Sequence, residues 1–262
     1  MKAKKSFGQH FLINISAANN IVEALDITAS GQNVLEIGPG KGVLTQFLLK
    51  KDINLKVVEA DRDMVEYLKN TFPPLSANII FLDFMKLNLS KVFDNKPFLL
   101  IGNYPYNISS QIIIKMLRYK ELIPQMVGMF QREVAERIVA PHGNKTYGVL
   151  SVLVQAYYTG KVIMKVSPGS FSPPPKVQSA VIKLERKENY SLGCNERLFR
   201  QVVKVSFNKR RKMLRNSLKS LVLEGNLLDD DFFTQRPEQL SLEQFVHLTT
   251  LIEENINKYN ES

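Results

Sequence analysis

Asn103-Tyr104-Pro105-Tyr106 puts two hydrogen-bond acceptors and an aromatic face in one short stretch, directly after the apolar run Phe98-Leu99-Leu100-Ile101-Gly102. The Asn103 amide oxygen accepts an N–H. Pro105 disfavours the α region for Tyr104, and an extended backbone there can turn the Tyr104 carbonyl outward as a second acceptor. The Tyr106 ring offers a face on which a flat base can stack. Together these groups suit a planar ring that carries an exocyclic amine. The same residues also fit an ordinary strand-to-helix turn, because Asn and Pro are common turn formers. Their surroundings have to decide.

Four apolar runs supply those surroundings. Asn33-Val34-Leu35-Glu36-Ile37 reads as a buried parallel strand. Gly38-Pro39-Gly40-Lys41-Gly42 follows, and residues 43–49 then show helical apolar spacing. Strand, glycine loop and helix form the layout of a nucleotide-binding βα unit. The loop reads G-x-G-x-G, whereas a dinucleotide fingerprint wants G-x-G-x-x-G and position 43 is Val. That favours an adenosine-containing ligand other than NAD. Leu55-Lys56-Val57-Val58-Glu59 ends in a carboxylate roughly 20 residues past the glycines, where it can accept from both ribose hydroxyls. Asn78-Ile79-Ile80-Phe81-Leu82 leads to Asp83, which could accept from an adenine amino group. Asp61 and Asp63 read instead as first-turn helix charges. Glu36-Ile37-Gly38, Glu59, Asp83 and Asn103 thus fall at the C-terminal ends of successive strands, outside which ligands sit in open α/β sheets.

These residues resemble the S-adenosylmethionine-dependent methyltransferases. The resemblance is closest to the KsgA-type small-subunit ribosomal RNA adenine N6-dimethyltransferases, with the Erm ribosomal RNA methyltransferases as cousins. It covers nearly the whole chain. It runs through Phe7-Gly8-Gln9-His10-Phe11-Leu12, the 36–42 loop, Val58-Glu59-Ala60-Asp61, Asn103-Tyr104-Pro105-Tyr106-Asn107-Ile108-Ser109 and residues 147–152. It continues in Phe171-Ser172-Pro173-Pro174-Pro175-Lys176-Val177 with Gln178-Ser179-Ala180-Val181, and in the stretch 207–218. The motifs are highly specific as a set and not singly.

The resemblance implies an α/β chain with a Rossmann-like methyltransferase fold, a mostly parallel sheet with helices on both faces. Residues 1–187 would form the S-adenosylmethionine-binding catalytic domain, and 188–262 a small all-helical domain contacting RNA. His10, Leu12, Gly38, Gly40, Glu59, Asp83 and Asn103 would contact the cofactor. Asn103, Tyr104, Pro105 and Tyr106 would hold the target adenine, and Phe171 would cover its other face. The family usually has Leu or Ile where this chain has Tyr104. Only the backbone carbonyl is needed there, so the departure bears on packing rather than chemistry. Hydrogen bonds from the amine to Asn103 Oδ1 and the Tyr104 carbonyl would favour an sp3-like nitrogen aimed at the methyl donor. A neutral amide barely binds protons, so Asn103 is no general base. A paired base cannot reach such a pocket, so the target must be unpaired or flipped out.

Composition agrees. The chain of 262 residues, 44% hydrophobic, suits one large domain and a small one. A formal net charge of +10 favours a polyanionic partner. Between Arg197 and Lys219 there are nine Lys/Arg and no Asp or Glu, while residues 220–262 carry two basic and nine acidic residues. Lys209, Arg210, Arg211, Lys212 and Arg215 are the candidate RNA contacts, although apolar Leu198, Val202, Val205, Leu214 and Leu218 show that the segment is also folded. A single cysteine, Cys194, excludes an intramolecular disulfide and a cysteine zinc site, and the three histidines show no metal spacing. The uncharged stretch at residues 146–160 is too short and polar to span a bilayer. No apolar segment follows the basic start, so no signal peptide is expected, and the cytoplasm is the simplest compartment.

Along the chain, residues 21–25 read as helix and strands alternate with helices from 33 to about 140. Residues 141–145 read as a loop, and 150–154, 162–166 and 180–184 as strands. The pattern is helical from about 194, and Ser241 caps the last helix. Three functions follow from the resemblance: a dimethylase of small-subunit ribosomal RNA with a monomer as the default state, an Erm-type enzyme acting on 23S ribosomal RNA, or a non-catalytic nucleic-acid-binding factor on the same fold. The 207–218 segment and the Phe171 motif favour the first over the second. Intact Gly38, Glu59, Asp83 and Asn103-x-Pro-Tyr argue against the third.

Overall fold

The computed structural model describes residues 10–222 and 226–261. Phe7, Gly8 and Gln9 of the N-terminal motif lie outside the described residues. In chain order the strands and helices are β1 (Phe11–Leu12), α1 (Ile15–Glu23), β2 (Gln32–Ile37), α2 (Thr45–Leu48), β3 (Ile53–Glu59), α3 (Arg62–Thr71), β4 (Ile79–Phe81), β5 (Leu99–Asn103) and α4 (Ser109–Arg118). They continue with β6 (Gln125–Gln131), α5 (Arg132–Ile138), α6 (Val149–Gln155), β7 (Tyr158–Val166), β8 (Phe171–Ser172) and β9 (Ser179–Arg186). The last helices are α7 (Glu196–Asn208), α8 (Leu214–Ser217) and α9 (Leu242–Glu261).

The main sheet has the order β4-β3-β2-β5-β6-β9-β7. β2 pairs in parallel with β3 and β5, β3 with β4, and β5 with β6. β9 returns antiparallel to β6. The order reverses between β2 and β5, and a parallel sheet leaves a crevice at such a switch point. Apart from their end residues β5 and β6 are apolar, and Val34, Leu35 and Ile37 of β2 are buried beside Glu36, as fits strands covered on both faces. The four strand ends read from the sequence are therefore neighbours in space. Asp61 caps α3, accepting from Asp63 N at 3.1 Å, as its first-turn reading requires.

The chain folds as two compact units. The described residues through Glu136, with Thr159–Arg186, form one, and Arg137–Tyr158 with the residues from Lys187 onward form the other. The expected boundary at 187 lies beside the end of the sheet unit at Arg186, but 137–158 joins the helical unit. The same stretch holds a correction to the sequence reading. Residues 150–154 read as a strand, yet they lie in helix α6. A short continuous apolar run does not separate the two periods. Here Ser151 settles the matter locally: its Oγ accepts from Gly148 N at 3.0 Å and donates to the Arg137 carbonyl at 2.5 Å.

Within the helical unit, α7 packs on α6, α8 and α9. Phe199, Val202 and Val203 of α7 are buried there with Phe245, Leu248 and Ile252 of α9. Asn195 caps α7 by accepting from Arg197 N and Leu198 N, both at 3.0 Å. Ser241 opens α9 with a reciprocal pair, donating its N–H to Gln244 Oε1 at 2.9 Å and accepting from Gln244 N at 3.3 Å.

Candidate active site

The ends of β2, β3, β4 and β5 surround a cavity of about 760 Å³ in the sheet unit. Its walls include His10, Leu12, Gly38, Gly40, Glu59, Asp83 and the whole Asn103-Tyr104-Pro105-Tyr106 turn. Of the sequence-derived cofactor and clamp residues, only Phe171 is not on its wall. A cavity of this size is in the range of small-molecule sites.

The glycine loop takes the backbone that its spacing implies: Gly40 has φ 54°, and a Cβ there would sit 3.2 Å from the Phe11 ring. Gly40 N donates to Glu59 Oε2 at 3.2 Å, and Asp61 N donates to Glu59 Oε1 at 2.9 Å. Each carboxylate oxygen thus has one backbone donor and keeps a lone pair for another. That leaves two acceptor sites on a fixed, nearly buried carboxylate, which fits the two hydroxyls of a ribose. Burial, with the Asp61 charge, pushes the Glu59 carboxyl up, and the Asp61, Gly40 and Ala60 amides hold it down. Glu36 lies deeper, with Oε2 accepting from Thr45 Oγ1 at 2.7 Å. Asp83 Oδ1 accepts from Met85 N at 2.8 Å and so caps the turn after β4, leaving its other oxygen as an acceptor at the cavity.

Asn103 ends β5, and its orientation is set from the far end of the chain. Asn103 Nδ2 donates to the His10 carbonyl at 3.1 Å. The amide nitrogen is thereby committed, and Oδ1 is the group that remains for a ligand N–H. Tyr106 Oη and Ser179 Oγ are 2.6 Å apart, which pins the half-buried ring. The Tyr106 ring stacks on His10 with centroids 5.4 Å apart and planes 27° apart. His10 Nδ1 in turn lies 2.9 Å from the Pro173 carbonyl oxygen. Nothing in the spacing of the sequence announces the part His10 and Ser179 play here, because each acts across a large sequence separation.

Two expected residues sit elsewhere or differently. Phe171 is 3% exposed and packs in the core with Leu12, Ile21 and Val181. The pairing of β1 with β8 sets Leu12 opposite Phe171 and turns that ring inward, so the aromatic neighbour of Tyr106 is His10. Tyr104 is buried, with its ring over Gly102 and Gly128; a Cβ on Gly128 would come within 2.0 Å of it. Its side chain is a packing piece, and its place in the turn is fixed further by Tyr104 N donating to the Met129 carbonyl at 3.1 Å.

The expected RNA contacts split into two kinds. Lys209, Arg211 and Lys212 are exposed in the turn after α7. Arg210 instead donates from Nη2 to the carbonyls of Lys145 (2.6 Å) and Asn144 (3.4 Å) and holds that loop. Arg215 is half-buried at the start of α8.

Comparison with known proteins bears on this geometry. A family model described as "Ribosomal RNA adenine dimethylase" matches residues 1–253. A protein of Phocaeicola vulgatus, named ribosomal RNA small subunit methyltransferase A, is 54% identical over 97% of this chain and 90% of its own length. Among solved structures, a dimethyladenosine transferase from Plasmodium falciparum is 26% identical, with a TM-score of 0.77 over 95% of this chain and 98% of its own. The 23S rRNA methyltransferase ErmE is 22% identical, with a TM-score of 0.69 over 93% of this chain and 99% of its own, and shares the fold. No described helix is long and apolar enough to cross a membrane.

Proposed function

From the premise that this chain belongs to the ribosomal RNA adenine dimethylase family, we propose that it methylates N6 of two adjacent adenosines near the 3′ end of 16S ribosomal RNA, twice each, using S-adenosylmethionine. The observation that carries this reading is the amide of Asn103 on the cavity wall, whose nitrogen donates to the His10 carbonyl and whose Oδ1 remains to accept an N–H.

The residues present fit the cofactor. Glu59 keeps two acceptor sites beside the Gly38–Gly40 backbone, and Asp83 keeps one for an adenine amine. Bound there, S-adenosylmethionine supplies an electrophilic methyl group. The protein's part is to hold the nucleophile. An adenine N6 is weakly nucleophilic because its lone pair is delocalised into the ring. Asn103 Oδ1 and the Tyr104 carbonyl accept its two N–H groups and stabilise the positive charge that grows on nitrogen. Tyr106 supplies the stacking face, worth about 1–3 kcal/mol per base. No side chain needs to act as a base, since the alkylated amine is acidic enough to lose its proton to water.

The proposed substrate is the small subunit or its precursor, and the enzyme acts on it as a monomer in the cytoplasm. The name of the 54%-identical relative supports the small subunit over the large one. The test uses labelled S-adenosylmethionine with unmodified small subunits, large subunits and naked RNA in parallel, with wild type and Asn103→Ala. Label is expected in small-subunit adenosines, with Asn103→Ala nearly inactive and still binding RNA. Label only in large-subunit RNA would overturn the substrate. Full activity of Asn103→Ala would overturn the acceptor pair.

A further inference from the structure

α4 turns an apolar face inward through Ile112, Ile113, Met116 and Leu117, and buries a lysine among them. Lys115 is 6% exposed. Its Nζ donates to the carbonyls of Phe84 (2.5 Å), Met85 (3.0 Å) and Leu87 (2.6 Å), so all three ammonium protons have partners. It also lies 4.9 Å from the centroid of the Phe84 ring. A buried ammonium is costly unless fully hydrogen-bonded, and a methionine would fill similar space without that cost. The methylation chemistry above makes no use of it.

What this ammonium holds is one wall of the cavity. Phe84–Lys86 is a single 3-10 turn directly after Asp83, and Phe84, Met85 and Lys86 line the cavity beside Asp83. So short a turn has poor internal hydrogen bonding and takes its position from outside contacts. Burial lowers the Lys115 pKa, and the Asp83 charge works against that shift, so the charges of the two groups act on one another. α4 starts at Ser109, directly after the Tyr106–Ile108 turn. One helix therefore begins at the amine-binding turn and carries the group that anchors the wall around Asp83.

We propose that Lys115 is a positioning residue: it holds the Asp83 wall in register with the Asn103–Tyr106 turn and so sets the preference for an adenosine over an inosine cofactor. This rests on the reading of Asp83 as the acceptor of the cofactor's adenine amine. A carboxylate accepts from an amine and repels the carbonyl oxygen that replaces it in inosine, so a well-placed Asp83 discriminates strongly. Loosening its wall erodes that discrimination before it touches the chemical step.

The experiment measures KM and kcat on unmodified small subunits with S-adenosylmethionine and with its inosine counterpart. Wild type, Lys115→Met, Lys115→Arg and Asp83→Asn are compared, with thermal melts of each. For Lys115→Met, KM for S-adenosylmethionine is expected to rise about tenfold with kcat within about threefold, and the adenosine preference to shrink by a similar factor. Lys115→Arg, which keeps donors but not their three-way geometry, is expected to fall between it and wild type. A fold defect alone would lower active enzyme and leave the preference unchanged. If Asp83→Asn loses the preference while both Lys115 variants keep it, the inference is overturned and the Asp83 reading stands. If wild type itself shows no preference, the Asp83 reading fails and takes the inference with it. Should Lys115→Met not fold, Lys115→Arg decides: a wild-type KM and preference overturn the inference, and a raised KM with a reduced preference supports it.

Discussion

Asn103, Glu59 and Asp83 were legible as single residues because each chemistry-bearing group lies at a strand end or just past one. Glu36 was legible only as part of a strand end, and its burial gives it a property that no spacing reveals. Burial, opposed by the Thr45 hydrogen bond and reinforced by the Glu59 charge, pushes its carboxyl from 4.5 up to about 8. Between those two values the unfolded chain has released the proton and the folded chain has kept it. The unfolded state then binds fewer protons, so stability falls as pH rises. The contribution of Glu36 is complete below 4.5 and is lost as pH climbs through about 8. Glu36→Gln keeps an acceptor for Thr45 and cannot ionise. The gap in Tm between Glu36→Gln and wild type is therefore expected to widen in favour of the variant from about pH 5 to about pH 8.5. Thermal unfolding across that range checks it, and a flat gap would mean that Glu36 is not held protonated.

Strand ends position the site, and a strand pair makes the space for the Tyr104 ring. Gly102 of β5 and Gly128 of β6 are register partners, and Tyr104 lies over both. The glycines leave the room that the ring fills. Gly128→Ala would drive a Cβ into the ring, and overpacking of this kind costs about 1–3 kcal/mol. Tyr104→Leu would leave a void over the same glycines, again costing on the order of 1–3 kcal/mol. The double variant is expected to cost clearly less than the sum, because each change makes room for the other. Urea unfolding of the three variants tests this; strict additivity would mean that ring and glycine do not share the space. The Tyr104 hydroxyl is buried with no hydrogen-bond partner among the described residues. That makes Tyr104→Phe the mildest change at this position. The same scale explains helix α6: residues 150–154 carry an apolar run that fits either period, and the Ser151 contacts, not propensity, fix it as helix.

Charge is a property of the whole molecule, and here its distribution is more informative than its total. Nine basic residues between 197 and 219 are followed by an acid-rich end. Neutralising the exposed Lys209, Arg211 and Lys212 to Gln is expected to weaken RNA binding and to reduce the slope of log K against log salt by about two to three. Arg210→Gln is expected to act mainly on stability, because its guanidinium is tied to the 144–145 carbonyls. Titrations at several salt concentrations separate the two, and an unchanged slope in the triple variant would remove this turn from the RNA surface. By itself the sequence determined the parallel βα order, the glycine loop and the row of groups at strand ends, because an apolar run bounded by polar residues and a glycine's φ are local constraints. Only the tertiary structure decided which distant residues meet. Pairing of β1 with β8 buried Phe171 and brought the His10 carbonyl to the Asn103 amide, and α4 brought Lys115 under the Asp83 turn. Those contacts join residues far apart in the chain, and no local propensity records which partners packing will supply.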